Sequence, residues 1–314
     1  MADQTYKFYI GIDVSKHKLD VAMSNTNNLF QVANNDIGLN ELIKQLPNKK
    51  HSLIVLEASG GYEQLAARYL RRKKFNVAIV NAKRVRDFAK ASGKLAKTDS
   101  IDANVIMAFA KAFNPTPQAP STSEEDERLN YLNRRTQIVK MIAIEKQHLE
   151  KSPKEFHRNI QKHIQYLEKE LDNIEASLKE QINKDSALKD KVERLDMIKG
   201  VGEVTAMNIL LNMPELGQLT PKEVSALAGV APFNKDSGQM KGKRQIWGGR
   251  APVRSALYMA ILTALKFNPT IKKFYDRLIQ KGKLKKVAMV ACMRKLIIIM
   301  NAMIRDNTGW QQMQ

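Results

Sequence analysis

Residues 53–56 read Leu-Ile-Val-Leu and run straight into Glu57. A strand made of four consecutive apolar residues has no polar face to offer water. It belongs at the centre of a sheet whose two sides are both covered. The neighbouring sequence is ordered around that demand. Before it, "YKFYIGIDVS" and "KLDVAMSN" carry strand-type residues on either side of a short basic turn, and "LFQVAN" reads as a third strand; "NVAIVN" follows as a fifth. "GLNELIKQL" places Leu39, Leu42, Ile43 and Leu46 on one helical face. "YEQLAARYLRRKK", "AKRVRDFAKAS" and "SIDANVIMAFAKAF" read as three further helices.

Three strands, helix, strand, helix, strand, helices is the order of a ribonuclease-H-like α/β domain, expected here over residues 1–115. The Pro- and Ser-rich "NPTPQAPSTSEED" ends that domain and opens a helical middle, residues 116–195. Ser152-Pro153-Lys154-Glu155 predicts a capping box with proline at the first helical position. Beyond it, Ile160, Ile164, Leu167, Leu171, Ile174 and Leu178 alternate spacings of four and three. A seam this narrow predicts a coiled coil that pairs chains, a spacer or dimerisation arm; the alternative is one long amphipathic helix lying on its own domain. Residues 196–314 form a third, mainly helical domain. It opens on "MIKGVGEVTAMNILLNM", the pattern of a helix-hairpin-helix whose turn at Gly200 and Gly202 offers N–H groups to a phosphate.

Charge says what such a chain binds. Lys and Arg exceed Asp and Glu by 18 to 10 up to residue 115 and by 19 to 7 from residue 196, with 15 of each between. The excess spreads through two folded segments instead of gathering on one amphipathic helix, which favours nucleic acid over a membrane surface. The polar N-terminus suggests no signal peptide, and "KLIIIMNAMI" is too short an apolar run to span a bilayer. The single cysteine, Cys292, excludes an internal disulfide and a cysteine zinc site; it reads as a buried small hydrophobe. A cytoplasmic, nucleoid-associated protein is expected.

Four acids mark the chemistry. Asp13 interrupts the first strand, Glu57 ends the central one, and Asp99 and Asp102 stand three apart on one face of a helix. An acid inside or ending a buried strand is costly unless it is paired, protonated or bound to metal. Converging carboxylates suit a pair of hard divalent cations, magnesium or manganese, of the kind that stabilises both oxygens of phosphoryl transfer. Singly, each acid also reads as a turn or helix cap.

The blocks "GIDVSK", "LEASGGY" and "KTDSIDA" resemble those of the DEDD-type insertion-sequence transposases, whose N-terminal domain resembles the RuvC Holliday-junction resolvase. "LAGVAPFNKDSGQMKGKRQIWGGR" is similar to their second, transposase-specific domain, so the likeness covers essentially the whole chain. The resemblance implies a recombinase guided by a bridge or seeker RNA that moves its own element between donor and target DNA. It implies that Asp13, Glu57, Asp99 and Asp102 bind magnesium, and that Ser237 attacks DNA to form a phosphoserine link. A homo-oligomer, dimer or tetramer, is expected with it. Lys241, Lys243, Arg244, Arg250 and Arg254 around Ser237 are then candidate phosphate contacts. "IKKFYDRLIQKGKLKK" interleaves Phe274 and Tyr275 with cations, but such aromatics more often belong to a buried helix face, and no role follows from them. Two other readings stay open: a resolvase or nuclease in which water attacks, and a non-catalytic nucleic-acid-binding protein.

Overall fold

The computed structural model describes residues 6–26, 29–93, 99–119, 122–233, 236–237, 240–241 and 244–310. The chain divides into two compact units, Met1–Thr122 and Ser123–Gln314.

In the first unit five strands form one sheet: β1 (Phe8–Val14), β2 (Lys18–Met23), β3 (Leu29–Ala33), β4 (Ser52–Glu57) and β5 (Asn76–Val80). Their spatial order is β3-β2-β1-β4-β5. β2 runs antiparallel to both its neighbours, whereas β1, β4 and β5 are parallel. This is the mixed sheet that the sequence predicts, consistent with a RuvC-like fold. Leu53 through Leu56 are completely buried, and their alternation explains why. Ile54 and Leu56 join Ile10 and Ile12 in a core closed by α1 (Asp36–Gln45) and α2 (Glu63–Arg72). Leu53 and Val55 join Tyr9 on the opposite face, under α3 (Ala82–Ala91) and α4 (Asp99–Phe113), whose Val85, Ile106 and Phe109 complete that core.

α4 lies directly on β1. A Cβ built on Gly11 would collide with the backbone at Ala103 and Met107. Only hydrogen on that face lets the helix come down onto the strand.

The second unit opens with two long helices, α5 (Ser123–Lys151) and α6 (Lys154–Asn183). The pairs Arg135–Glu175, at 2.7 Å, and Lys146–Glu168, at 2.9 Å, show that they run antiparallel. The seam from Ile160 to Leu178 faces α5 of the same chain: Leu167 packs with Ile138 and Ile142, and Leu171 and Ile174 lie against them. The pairing expected between chains is therefore met inside one, because a turn of two residues folds the second helix back on the first. The expected capping box is absent from that turn. Pro153 itself caps α6 without a side-chain hydrogen bond, and its carbonyl accepts from Phe156 N at 3.0 Å.

The base of this hairpin continues into the main core, where Leu132, Leu178 and Ile182 pack with the remaining helices. These are α7 (Ser186–Asp196), α8 (Glu203–Asn212), α9 (Pro221–Leu227), α10 (Ala251–Phe267), α11 (Pro269–Gln280) and α12 (Lys285–Asp306). Thr220 and Glu223 form a complete capping box on α9. α12 is long and apolar enough to cross a membrane by length and composition, which corrects the shorter reading of this stretch. Half of its most apolar window is buried. Its Asn301 donates to Leu219 O at 2.7 Å and accepts from Gly217 N at 2.8 Å, so the polar group inside this core is satisfied. Cys292 is buried as expected, and burial pushes its thiol up to about 11 against the opposing charge of Lys295.

Gly11→Ala is expected to destabilise the N-terminal unit by about 1–3 kcal/mol, the usual cost of overpacking. Hydrogen exchange should rise selectively in α4. If α4 keeps wild-type protection in the variant, the helix does not rest on Gly11.

Candidate functional site

Asp13 and Glu57 become neighbours through the parallel pairing of β1 and β4. The register brings Ile12 beside Leu56, so the next residues along the two strands are Asp13 and Glu57. Both follow the alternation of Tyr9 and Gly11, and of Leu53 and Val55, onto the face that α4 covers. α4 begins at Asp99, and Ala103, the residue after Asp102, is one of those resting on Gly11. The close approach at Gly11 thus holds the first turn of α4 beside the strand ends. Asp13, Glu57 and Asp102 are all half-buried there, while the side chain of Asp99 lies outside the described residues. Among the described residues no three acids, histidines or cysteines are grouped closely enough to hold a metal ion. The donors are all carboxylate oxygens, the type that hard divalent cations take.

Three further residues shape this edge and were not singled out from the sequence. Asp20 stands opposite Asp13 in the β1–β2 register and therefore shares its face. It is buried, accepts from Gln31 Nε2 at 2.7 Å and lies 3.6 Å from Lys18 Nζ. Glu63, at the start of α2, turns back into the loop that follows Glu57. Its Oε2 accepts from Ser59 N at 3.1 Å, Ser59 Oγ at 3.1 Å and Gly61 N at 2.9 Å, and its Oε1 from Gln64 Nε2 at 3.0 Å. Burial works against the charged form of Glu63, but these hydrogen bonds outweigh it and hold the carboxyl below its usual range. Asn34 ties the two site loops together, donating to Ser15 O at 3.0 Å and Tyr62 O at 3.2 Å. Among the described residues its Oδ1 is buried without a hydrogen-bond partner.

Ser237 lies on a short ribbon in the second unit. The outer rungs are β6 (Pro232–Phe233) with β9 (Gln245–Ile246). The inner ones are β7 (Asp236–Ser237) with β8 (Met240–Lys241), which pair Ser237 with Met240 and Asp236 with Lys241. The side chains of Ser237 and Lys241, and all of Lys243, fall outside the described residues. Arg244 is exposed.

The ribbon's base is anchored firmly, and two predicted phosphate contacts do the anchoring. Arg250 places both ends of its guanidinium on Glu215, at 2.7 and 2.6 Å, and also donates to Asn212 O at 2.8 Å. That pairing draws the Glu215 carboxyl below its usual range, against the effect of burial. Arg254 donates to Gly248 O at 2.6 Å. Arg250 and Arg254 therefore hold the protein's own loop through these contacts. Glycine answers to the same need, since a Cβ on Gly249 would strike the backbone of Gly229. Gly200 has φ of 101°, and its missing Cβ is what allows Ala264 of α10 to approach. Gly202 caps α8 without a side chain and faces open space, but Glu203 follows it and pairs with Lys179 at 2.9 Å.

Glu63→Gln should cost about 2 kcal/mol at neutral pH, because an amide nitrogen would face N–H donors that now meet a carboxylate. The native carboxyl titrates below its ordinary range. Its stabilisation is therefore complete above about pH 4.3 and is lost as pH falls through the folded-state value. Urea melts of both proteins from pH 7 downward check this; identical midpoints at pH 7 would rule it out.

Comparison with known proteins covers both units. A family of IS110-type DEDD transposases, described as "Transposase", matches residues 10–157. A second, "Transposase IS116/IS110/IS902 family", matches residues 192–276. The chain is 28% identical over 312 residues to the pilin gene-inverting protein of Moraxella lacunata, covering 96% of this chain and 97% of that one. The same-named protein of Moraxella bovis is 28% identical over 311 residues, again 96% and 97%. An uncharacterized 43.6 kDa protein of insertion element IS110 from Streptomyces coelicolor is 28% identical over 119 residues, 37% of this chain and 29% of that protein.

Proposed function

The chain belongs to the IS110 family of transposases, and from that premise we propose that it cuts and rejoins DNA through a covalent bond to Ser237, with Asp13, Glu57, Asp99 and Asp102 holding magnesium or manganese. The observation that carries this reading is the convergence of strand ends and helix start at one edge of the sheet. Asp13, next to last in its strand, and Glu57, last in the parallel neighbour, lie on the face covered by the helix that bears Asp99 and Asp102. A divalent cation bound by such carboxylates supplies Lewis-acid stabilisation of the charge that builds on a phosphate under attack.

The chain's own residues do the rest. The Ser237 Oγ attacks phosphorus; the Oγ–P bond forms as the bond from phosphorus to the 3′ oxygen breaks, and the serine proton ends on that oxygen. The products are a phosphoserine–DNA ester and a free 3′-hydroxyl. Since the ester keeps the energy of the original diester, attack by a 3′-hydroxyl in the reverse sense reseals DNA without ATP. Glu63 and Asn34 fix the loops after Glu57 and Asp13, so the carboxylates keep their spacing through both steps. Lys241, Lys243 and Arg244 take phosphates beside the serine, and the turn at Gly202 is a weaker candidate of the same kind. The choice of donor and target DNA falls to base pairing with a guide RNA, by analogy with other RNA-guided systems. Catalysis proceeds in a homo-oligomer, a dimer or tetramer, in the cytoplasm.

The names of the Moraxella relatives favour a second reading, in which the same chemistry inverts a DNA segment between two sites. Sequencing the junctions made in cells distinguishes reversal of an internal segment from movement of the element to a new place.

Two outcomes test the mechanism. Ser237→Ala should bind DNA as the wild type does yet give no protein–DNA adduct on a denaturing gel and no recombinant product. Cutting at the wild-type rate would replace serine attack with attack by water. Asp13→Ala or Asp102→Ala, and chelation of magnesium, should each lower cleavage by at least about 10³-fold and leave DNA binding intact. Robust cleavage in excess chelator would remove the metal from the mechanism.

A further inference from the structure

The segment from α11 into the first turn of α12 forms a surface that the serine ribbon and the carboxylates do not use. Lys272 and Lys273 on α11, Lys281 and Lys283 in the turn, and Lys285 and Lys286 at the start of α12 are all exposed. Among the described residues none of the six has a carboxylate within ion-pairing distance, and the single acid between residues 268 and 290 is Asp276. Some cations elsewhere in the same unit are matched, as in Arg128–Asp185, Arg135–Glu175 and Lys179–Glu203. The aromatic residues of this stretch do not stand among the lysines. Phe274 and Tyr275 turn inward onto the core, and Arg277 and Lys295 lie over the Phe274 ring at 5.2 and 4.8 Å.

The geometry points to a surface on α11 and the turn to α12 that grips a nucleic-acid backbone without reading its sequence. The inference rests on the transposase reading and adds a partner surface separate from the Ser237 ribbon. Six unmatched cations repel one another, and a row of phosphates relieves that repulsion with release of condensed counterions. Lysine carries a compact charge on a flexible stem and lacks the planar fork with which arginine reads guanine, so this surface positions and does not specify. An anionic bilayer is the rival for a basic turn that also exposes Leu284, which is 75% accessible. A helix that lies on a bilayer turns its apolar face outward. Here Ile271 of α11 is fully buried and Phe274 and Tyr275 pack on the core, so the exposed face is left to Lys272, Lys273, Asp276 and Arg277. That arrangement suits phosphodiesters.

The test uses the full chain carrying Lys281→Ala, Lys283→Ala, Lys285→Ala and Lys286→Ala together. Fluorescence anisotropy with random-sequence duplex DNA, and separately with structured RNA, is read across a salt series. The expected result is a loss of about tenfold or more in affinity at 0.1 M salt. The slope of log affinity against log salt should become shallower by about 3 to 4 for duplex DNA, if each lysine meets one phosphate. The loss should be equal for unrelated sequences, and whichever polymer shows it is the one held here. A control with Lys140, Lys151, Lys154 and Lys162 changed to Ala removes the same charge from the helical hairpin and should bind nearly as wild type does. Equal losses in the two variants would reduce the effect to net charge and overturn the surface. So would unchanged binding to both polymers, or a loss confined to phosphatidylserine vesicles. Wild-type protein that binds neither polymer would instead overturn the transposase reading beneath it.

Discussion

The N-terminal unit depends on one close contact, the seating of α4 on β1 at Gly11. A strand covered on both faces needs a helix on each, and side chains usually hold a helix well above the sheet. At Gly11 the helix backbone itself meets the strand, so the first turn of α4 stands lower than side-chain packing would permit. Two consequences follow from the same missing Cβ. The core of Tyr9, Val55 and Ile106 closes beneath the helix, and a helix bearing two acids starts beside two strands that each carry an acid at or next to their last residue. A larger residue would lift the helix and move Asp102 away from Asp13 while every hydrogen bond of the sheet stayed intact. Fold stability and site geometry therefore share one atom-sized constraint.

That constraint also explains what was legible in the sequence. The five strands and their order could be read because Leu53–Leu56 admit a single environment and because the flanking segments keep to period two or period three and four. The acids stood out because each sits where an unpaired charge is expensive. Glu63 did not stand out, since an acid in the first turn of a helix is already explained by the macrodipole. Its hold on Ser59 and Gly61 depends on how the glycine-rich loop curls back, and spacing does not reveal that. Asp20 was hidden for a different reason. Its pairing with Asp13 across the hairpin depends on register, and the basic turn between the strands left the register open.

In the second unit the cations around Ser237 were expected to meet phosphate, and part of what they meet is internal. Gly249 meets Gly229, Arg250 meets Glu215, and Arg254 meets the carbonyl of Gly248. Glu215 lies thirty-five residues before Arg250, too far for pattern reasoning to connect them. These contacts tie down the base of the segment that carries Ser237. The seam in α6 shows the converse error. Heptad spacing reports that a helix has a partner, and it is silent on whether that partner comes from another chain or from the same one after a turn of two residues.

Charge placement closes the argument for the C-terminal unit. α5 begins with Glu124, Glu125 and Asp126, the residues that the positive end of a helix favours. α12 begins with Lys285 and Lys286 and has no acid in its first turn. There the macrodipole and the lysines oppose each other, at a cost of a few tenths of a kcal/mol to about 1 kcal/mol for each charge. The same unit shows that its sequence can supply acids at a helix start and carboxylate partners for its cations. A chain under pressure for stability alone would do so at α12 as well. Keeping cations against the dipole, on a helix whose other end is sunk in the core, makes sense if the opposing charge arrives from outside the protein.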